Sequence, residues 1–236
     1  MISRELVNAY HRLYPIKRFD HPSLPTELYH DNVGRHVVGI VTSIQSLEQR
    51  YPPNTINWPY ARYVAIHHDD PELIHGDTVT FIKRGHSKQS DILKAAKNLG
   101  WSRRKTAAVL GYEETVDCLS GTDPIIPCKR EHIIPAVYDL WDAANLFHLE
   151  TVRNMHTDAY RAKAPLPNAA LIVAPNRLLS FMKNIPKVTT DTQFSRIMTE
   201  EIRGMLRYIH GAWAQVPRSE KSLVMRTMMA IVENHI

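Results

Sequence analysis

The chain has 236 residues, of which 44% are hydrophobic and 22% are charged, and its formal net charge is +5 at pH 7. This composition excludes an intrinsically disordered chain, and the longest apolar run, at residues 169–175, is too short for a transmembrane helix of about 20 residues. With only Cys118 and Cys128, a disulfide framework is excluded as well, and we expect a soluble, cytoplasmic protein with reduced thiols.

The N-terminal segment, residues 1–35, is predicted to be a short helix followed by a proline-containing arm. Residues 3–13 place apolar side chains at near-helical spacing, which predicts the helix. Pro15, Pro22 and Pro25 then punctuate the chain and favour an extended conformation.

The next segment, residues 36–88, is predicted to be a small β unit. Three runs within it, at residues 36–44, 61–67 and 78–83, are rich in β-branched and aromatic side chains, which favour strands. A proline pair at residues 52–53 excludes a central strand there. We therefore expect a barrel-like or curled sheet, and an α+β fold for the whole chain.

From residue 89 onward the spacing of apolar side chains indicates helices. We divide this part into a hairpin at residues 89–123 and a helical domain at residues 124–236. The helices expected in that domain cover residues 132–149, 168–185 and 191–216. Pro175 is expected to interrupt the second of these, and Ser219 to cap a last helix at its N-terminus.

Positive charge is concentrated between residues 83 and 105. This window holds eight basic residues and one acid, a net charge of +7, whereas the remaining 21 basic and 23 acidic residues sum to −2. A focused basic patch attracts polyanions and speeds their encounter. The basic residues, which we expect to contact phosphates, are Lys83, Arg84, Lys88, Lys94, Lys97, Arg103, Arg104 and Lys105.

The hairpin carries the pattern Ile-Leu-x-Ala from residue 92, Asn-x-Gly from residue 98 and Ala-Ala-Val-Leu-Gly-Tyr from residue 107. Over residues 91–117 it resembles the Fis-type helix-turn-helix found at the ends of many bacterial regulators. The resemblance implies two packed helices, a sharp turn at Gly111 and a third helix for the DNA major groove. The positions that match the third helix include the acidic residues Glu113, Glu114 and Asp117. Because acids repel phosphates, we expect the first two helices to contact the backbone without reading base sequence.

The densest group of side chains with metal-binding chemistry is the run His67-His68-Asp69-Asp70. Alternation along a strand places the two histidines on opposite faces, and a pair of aspartates followed by proline is an ordinary turn sequence. We therefore expect a turn with solvated histidines, and keep a metal or general-base site at these four residues as the weaker alternative. The two cysteines are spaced too widely for a recognisable zinc site and are expected to be buried thiols. No cofactor is expected.

Together these features predict a non-enzymatic nucleic-acid-binding protein, with DNA as the expected partner, that acts in regulation, replication or packaging. Trp58, in a proline-rich loop, is expected to stack on an exposed base. One alternative is an assembly subunit of a virion or other large complex, a homo-oligomer included, whose basic patch contacts an acidic protein surface. A second alternative is a metal-dependent nuclease built on residues 67–70. No membrane partner is expected.

Overall fold

Ten α-helices account for the regular structure of the residues described by the computed structural model. Those residues are 3–18, 32–51, 56–75, 88–121, 126–154, 165–219 and 221–236, without the side chains of 75, 88, 147–154 and 165–171. The helices are α1 (Arg4–Leu13), α2 (Val33–Arg50), α3 (Trp58–His67), α4 (Glu72–His75), α5 (Lys88–Asn98), α6 (Arg103–Ser120), α7 (Arg130–Asn154), α8 (Pro165–Val188), α9 (Thr192–Ala214) and α10 (Leu223–Glu233).

The predicted β unit, and with it the α+β fold class, is wrong: these described residues contain helices and no strand. Residues 36–44 lie within α2 and residues 61–67 within α3, while residues 78–83 lie outside the described part of the chain. β-Branched side chains favour strands only weakly, and packing overrides that preference. The side chains of α2 that are buried recur every three or four residues, as a helix requires: Val33, Val37, Ile40, Val41, Ile44 and Leu47.

Local signals at the start of these helices agree with the helical assignment. Asn32 caps α2 by accepting a hydrogen bond from the backbone N–H of Arg35 at 3.0 Å. Asn57 caps α3 in the same way through the N–H of Tyr60 at 3.1 Å, and Pro59 follows in the first turn, where proline costs no hydrogen bond. The sequence therefore carries helix-start signals before both of the runs interpreted as strands.

Helix α7 is the centre of the fold, because it packs against α2, α3, α6, α8 and α9. Its buried side chains point in nearly all directions, as expected of a helix surrounded by others; they include Ile133, Ile134, Ala136, Val137, Tyr138 and Leu140. One hydrophobic core joins side chains from α1 to α10, whereas α5 is held against α6 with Ile92 and Ala95 buried. None of the helices in the described ranges combines the length and apolar character needed to cross a membrane.

The other helix predictions have mixed outcomes. The helices expected at residues 3–13 and 191–216 are confirmed as α1 and α9, with Ser3 and Asp191 as their N-caps. The interruption at Pro175 is wrong because α8 continues through it, and the last helix is capped by Ser222 rather than Ser219. Ser222 supplies a local capping signal of its own, since its hydroxyl accepts a hydrogen bond from the backbone N–H of Met225.

The sharp turn expected at Gly111 is also wrong, because α6 runs without a break from Arg103 to Ser120. Gly111 instead allows α6 and α7 to approach closely. A Cβ atom on Gly111 would lie 2.3 Å from Cε1 of His132, a separation that a side chain does not tolerate. His132 is 5% exposed, and burial, with a contribution from Lys129, lowers the pKa of its imidazole to about 4.

The lowered pKa of His132 predicts a loss of stability in mild acid. Between pH 6.5 and pH 4 the unfolded chain binds a proton at this position that the folded protein excludes, so the free energy of unfolding falls as the pH falls. We expect this residue to contribute a loss of about 2 kcal/mol between pH 7 and pH 4.5. Urea unfolding of the wild type and of His132→Gln at both pH values checks this, since the variant lacks the titrating group. An equal pH dependence in the two proteins would contradict it.

Candidate metal centre

Two imidazoles and two carboxylates meet where α2, α7 and the turn after α3 pack together. His36 comes from the first turn of α2, His68 and Asp69 follow α3, and Asp139 comes from α7. Nε2 of His36 lies 3.0 Å from Oδ1 of Asp139 and 3.4 Å from Oδ2 of Asp69, and Nε2 of His68 lies 3.1 Å from the same Asp69 oxygen. We call these four residues the His–Asp centre.

The helices can bring these groups together because small residues and short turns leave room. His68 ends α3, with its backbone N–H bonded to the carbonyl of Val64, so that Asp69 begins the following turn. On α2, Gly39 faces α7: a Cβ atom there would lie 3.1 Å from Oδ1 of Asp142. The absence of a side chain at Gly39 therefore lets the carboxylates of α7 approach the histidine of α2.

Both histidines are held so that the same ring atom faces the centre. Nδ1 of His68 lies 2.8 Å from the carbonyl oxygen of Ala65 and must donate to it, because a carbonyl only accepts. Nδ1 of His36 lies 2.8 Å from Oδ2 of Asp142 and donates to that carboxylate in the same manner. Once the proton on Nε2 is lost, each imidazole directs the lone pair of that atom into the centre. This arrangement, a ligand histidine oriented by a carbonyl or carboxylate behind it, is typical of metal sites.

An unsatisfied nitrogen is the second sign of a ligand. Nε2 of His68 is fully buried and makes no hydrogen bond to any described residue. The Asp69 oxygen at 3.1 Å is close, but its direction does not meet hydrogen-bond geometry. A buried polar atom without a partner costs about 1–3 kcal/mol, so it calls for an explanation. A cation bound between His68 and Asp69 supplies one.

The electrostatics of the centre favour positive charge. Burial and the nearby Arg18 lower the pKa of His36, yet hydrogen bonds to Asp139 and Asp142 outweigh them and raise that pKa to about 10. Burial raises the pKa of Asp69, but the two histidines outweigh it and lower the pKa. The carboxylates thus create a negative field that stabilises either a proton or a metal cation at this point.

Outer contacts hold the ligand side chains in place. Arg18, which is 6% exposed, pairs with Oδ2 of Asp142 at 2.7 Å and so fixes the carboxylate behind His36. The hydroxyl of Tyr112 donates to Oδ2 of Asp139, which leaves Oδ1 turned toward His36. His36, His68 and Asp69 offer atoms that all lie within 4.8 Å of one another. Two imidazoles with one or two carboxylates suit Mn²⁺, Fe²⁺ or Zn²⁺ better than Mg²⁺ or Ca²⁺, which prefer oxygen ligands.

The neighbouring residues His67 and Asp70 form a separate ion cluster rather than part of the His–Asp centre. Asp70 is fully buried and lies 2.6 Å from Nη2 of Arg12 and 2.8 Å from Nδ1 of His67, and it also pairs with Lys105. Burial raises the pKa of Asp70, but His67 and Lys105 outweigh it and lower the pKa to about 2. We call Arg12, His67, Asp70 and Lys105 the Asp70 cluster. It joins α1, α3 and α6 directly beside Asp69.

The structure separates the four residues that were considered as weak metal candidates. The expectation of solvated histidines is wrong, since His67 and His68 are 7% and 3% exposed. Their side chains diverge, as the sequence analysis expected of neighbouring residues, and only His68 and Asp69 enter the His–Asp centre. His36 and Asp139 escaped the sequence analysis. The signal that could have found Asp139 is its spacing of three from Asp142, which places both carboxylates on one face of a helix.

The predicted phosphate-contacting residues fall into three groups. Lys94, Lys97, Arg103 and Arg104 are exposed on α5 and at the start of α6. Lys105 is 15% exposed and pairs with Asp70, so it is not a free surface cation. Lys83 and Arg84 lie outside the described residues, and Lys88 begins α5 without a described side chain.

The predictions for Trp58 and for the two cysteines can be checked as well. Trp58 is 2% exposed at the start of α3, so the expectation that it stacks on a base is wrong. Cys118 is buried and Cys128 is half-buried, and the two do not form a disulfide. The prediction of two buried thiols therefore holds fully for Cys118 alone.

Comparison with protein-family models, curated proteins and solved structures gives no match to this chain.

The His–Asp centre is expected to bind a divalent transition metal. Titration of Mn²⁺ or Zn²⁺ into protein freed of metal with EDTA, followed by calorimetry, should show binding that is lost in His68→Ala and Asp69→Asn. Asp142 lies behind the candidate ligand His36 and orients its ring. The substitution Asp142→Asn should therefore weaken metal binding about 10–100-fold. His235→Ala, at an exposed histidine of the C-terminus, is the matched control and should bind like the wild type. Far-UV circular dichroism establishes that each variant is folded, and undiminished binding by folded His68→Ala would contradict the site.

The Asp70 cluster is expected to support the fold. Lys105→Met leaves the buried Asp70 carboxylate with fewer partners and should lower the free energy of unfolding by about 1–3 kcal/mol. Lys94→Met, at an exposed lysine of the same hairpin, should change it by no more than about 0.5 kcal/mol. Urea unfolding at pH 7 measures both.

A double-mutant cycle measures the interaction energy between Lys105 and Asp70 apart from the other effects of the two substitutions. The cost of Lys105→Met combined with Asp70→Ala should be smaller than the sum of the two single costs, because each single change leaves one charge without the other. Additive costs would show that the ion pair contributes nothing.

Proposed function

We propose that this protein is a metal-dependent hydrolase of phosphate esters. The observation that carries the proposal is the convergence of His36, His68 and Asp69, whose candidate ligand atoms all lie within 4.8 Å of one another, with Asp139 3.0 Å from Nε2 of His36. A catalytic metal site needs such a set of protein ligands together with a position left open for water or substrate. A cation bound at this point would contact Nε2 of His68, which lies 3.1 Å from Oδ2 of Asp69 but makes no hydrogen bond to a described residue.

Hydrolysis follows from the chemistry that a cation supplies when bound here: it lowers the pKa of water and offsets negative charge on a phosphoryl group. In the reaction the water oxygen bonds to phosphorus, the ester P–O bond breaks, and the leaving alcohol departs with a proton. The side chains of the His–Asp centre would hold the cation. Asp142 with Arg18, and Tyr112, would orient His36 and Asp139, so they are positioning residues in this proposal.

A phosphate ester is the substrate class that the surrounding charges favour. The carboxylates of the centre would repel an anionic substrate, and cations beside them counter that repulsion. Lys105 and Arg12 are both paired with Asp70, the residue after Asp69, whereas Arg104, one residue before Lys105 on α6, is exposed and can meet an anion. This combination of a buried cation site with adjacent basic side chains supports the enzymatic interpretation over binding alone.

The proposal is tested with small chromogenic esters. Bis(p-nitrophenyl) phosphate and p-nitrophenyl phosphate, each assayed with Mn²⁺, Zn²⁺ and Mg²⁺, distinguish a diesterase from a monoesterase. We expect hydrolysis that EDTA abolishes and added metal restores. Asp69→Asn and His36→Ala should lower kcat/KM at least about 100-fold, which corresponds to about 2.7 kcal/mol of transition-state stabilisation.

Two controls keep that assay specific. Glu200→Gln, at an exposed carboxylate of α9, and His235→Ala remove the same chemical groups elsewhere and should leave kcat/KM unchanged. If the wild type is inactive with every metal and both esters, or if Asp69→Asn retains full activity, the protein is not a hydrolase of this kind.

A further inference from the structure

A basic surface lies on the hairpin formed by α5 and the start of α6. Lys94 and Lys97 are three residues apart on α5 and therefore share a face, and Arg103 begins α6. All three are exposed, and none has an ion-pair or hydrogen-bond partner for its side chain among the described residues. We call Lys94, Lys97, Arg103 and Arg104 the hairpin surface.

The charge on this hairpin is segregated. Residues 88–105 contain six basic residues and one acid, whereas the later part of α6 carries Glu113, Glu114 and Asp117. Solvated helix faces commonly mix both signs, which offsets their fields. Here the cations concentrate at one end of the hairpin, where a negative polymer would gain the most from release of its counterions.

Aromatic rings accompany the cations. The guanidinium of Arg104 lies 4.6 Å from the ring centre of Tyr63 and 5.9 Å from that of Tyr60, and the two rings are nearly parallel, at 13°. Nζ of Lys105 lies 4.6 Å from the ring centre of Trp101. All three rings are half-buried, so part of each remains accessible. Half-exposed rings interleaved with basic side chains are typical of surfaces that bind nucleic-acid strands.

The hairpin surface and the His–Asp centre lie along the same helix. Tyr112 donates to Asp139, and its ring lies 4.9 Å from that of His68, so this residue borders the centre. Arg104, a member of the hairpin surface, precedes it by eight residues of continuous α6, a rise of roughly 12 Å, and lies about 80° away around the helix. That length equals the rise of about four phosphates along one strand of B-DNA. A mononucleotide is too short to contact both places, whereas a polymer reaches both.

We propose that the hairpin surface binds the phosphodiester backbone of a nucleic-acid strand and extends it toward the His–Asp centre. The extension toward the centre rests on the proposed phosphoesterase function, whereas binding at the hairpin does not. An acidic protein is the less favoured partner, because the surface combines aromatic rings with a neighbouring site suited to phosphate esters. The partner class is a polynucleotide, DNA or RNA.

Binding is measured by fluorescence anisotropy with labelled single- and double-stranded DNA and RNA 20-mers, with the full chain in EDTA so that the metal centre makes no contribution. The triple variant Lys94→Gln, Lys97→Gln, Arg103→Gln should lose affinity on the order of 100-fold at 0.1 M salt. The slope of log affinity against log salt concentration should become shallower by about 2–3. The four probes show which strand form the surface prefers.

The matched control is Arg196→Gln, Arg207→Gln, Arg226→Gln, which removes three exposed charges from α9 and α10, far along the chain from the hairpin. It should retain wild-type affinity. Equal loss in both triple variants would show a response to net charge only and would overturn the proposal. Absence of binding to all four probes, or tighter binding of polyglutamate than of any probe, would overturn it in favour of an acidic protein partner.

The proposed hydrolase function is tested separately, by measuring hydrolysis of the chromogenic esters by the wild type. Suppose that the esters are not hydrolysed, and that the triple variant of the hairpin surface loses nucleic-acid binding while the control triple variant retains it. The proposed binding surface is then supported and the proposed hydrolase function is refuted. If the wild type cleaves an oligonucleotide with added metal, the hairpin triple should raise KM for that substrate at least tenfold with little change in kcat. An unchanged KM would overturn the extension of the strand toward the centre.

Discussion

The contact of His36 with three carboxylates is the constraint on which the rest of the structure depends. Asp69 from the turn after α3, and Asp139 and Asp142 from α7, all lie within 3.4 Å of this buried ring. Like charges held this close repel each other unless positive charge lies among them. The packing of α2, α3 and α7 therefore favours positive charge at this point, and Arg18 together with a proton on His36, whose pKa is raised to about 10, supplies it. In the proposed function a bound metal would take the place of that proton.

In the Asp70 cluster, one residue further along the chain, the negative charge of a buried carboxylate is balanced in a different way. There the buried carboxylate is surrounded by Arg12, His67 and Lys105, so the positive charge comes from the chain itself. The contrast between adjacent aspartates is informative: Asp70 is fully compensated by side chains, whereas Asp69 shares its histidines with two further carboxylates. Because Lys105 belongs to α6, the cluster also fixes the basic hairpin relative to the turn that carries the metal ligands. The turn that follows α3 therefore carries residues of both the Asp70 cluster and the His–Asp centre.

Local patterns predicted the helices wherever the apolar side chains were regularly spaced over a long stretch, as in α9 with Phe194, Met198 and Ile202. They failed in α2 and α3, where runs such as Val37, Val38 and Val41 suggested strands. A short β-branched run is compatible with both structures, and only burial on one helical face, in contact with α7, decides between them. The strand interpretation in turn concealed the site, since it left His36 without a role.

The sequence by itself determined the regular helices, the concentration of basic residues before Lys105, and the presence of a histidine–aspartate run, because each is a property of neighbouring residues. Only the tertiary structure decided which of those histidines and aspartates act together. The ligand set joins His36, His68 and Asp139 across more than a hundred residues, and separations of that kind leave no periodic signal in one sequence. Tautomer, burial and the unsatisfied nitrogen of His68 follow from the packing of α2, α3 and α7, since each depends on which groups surround the ring.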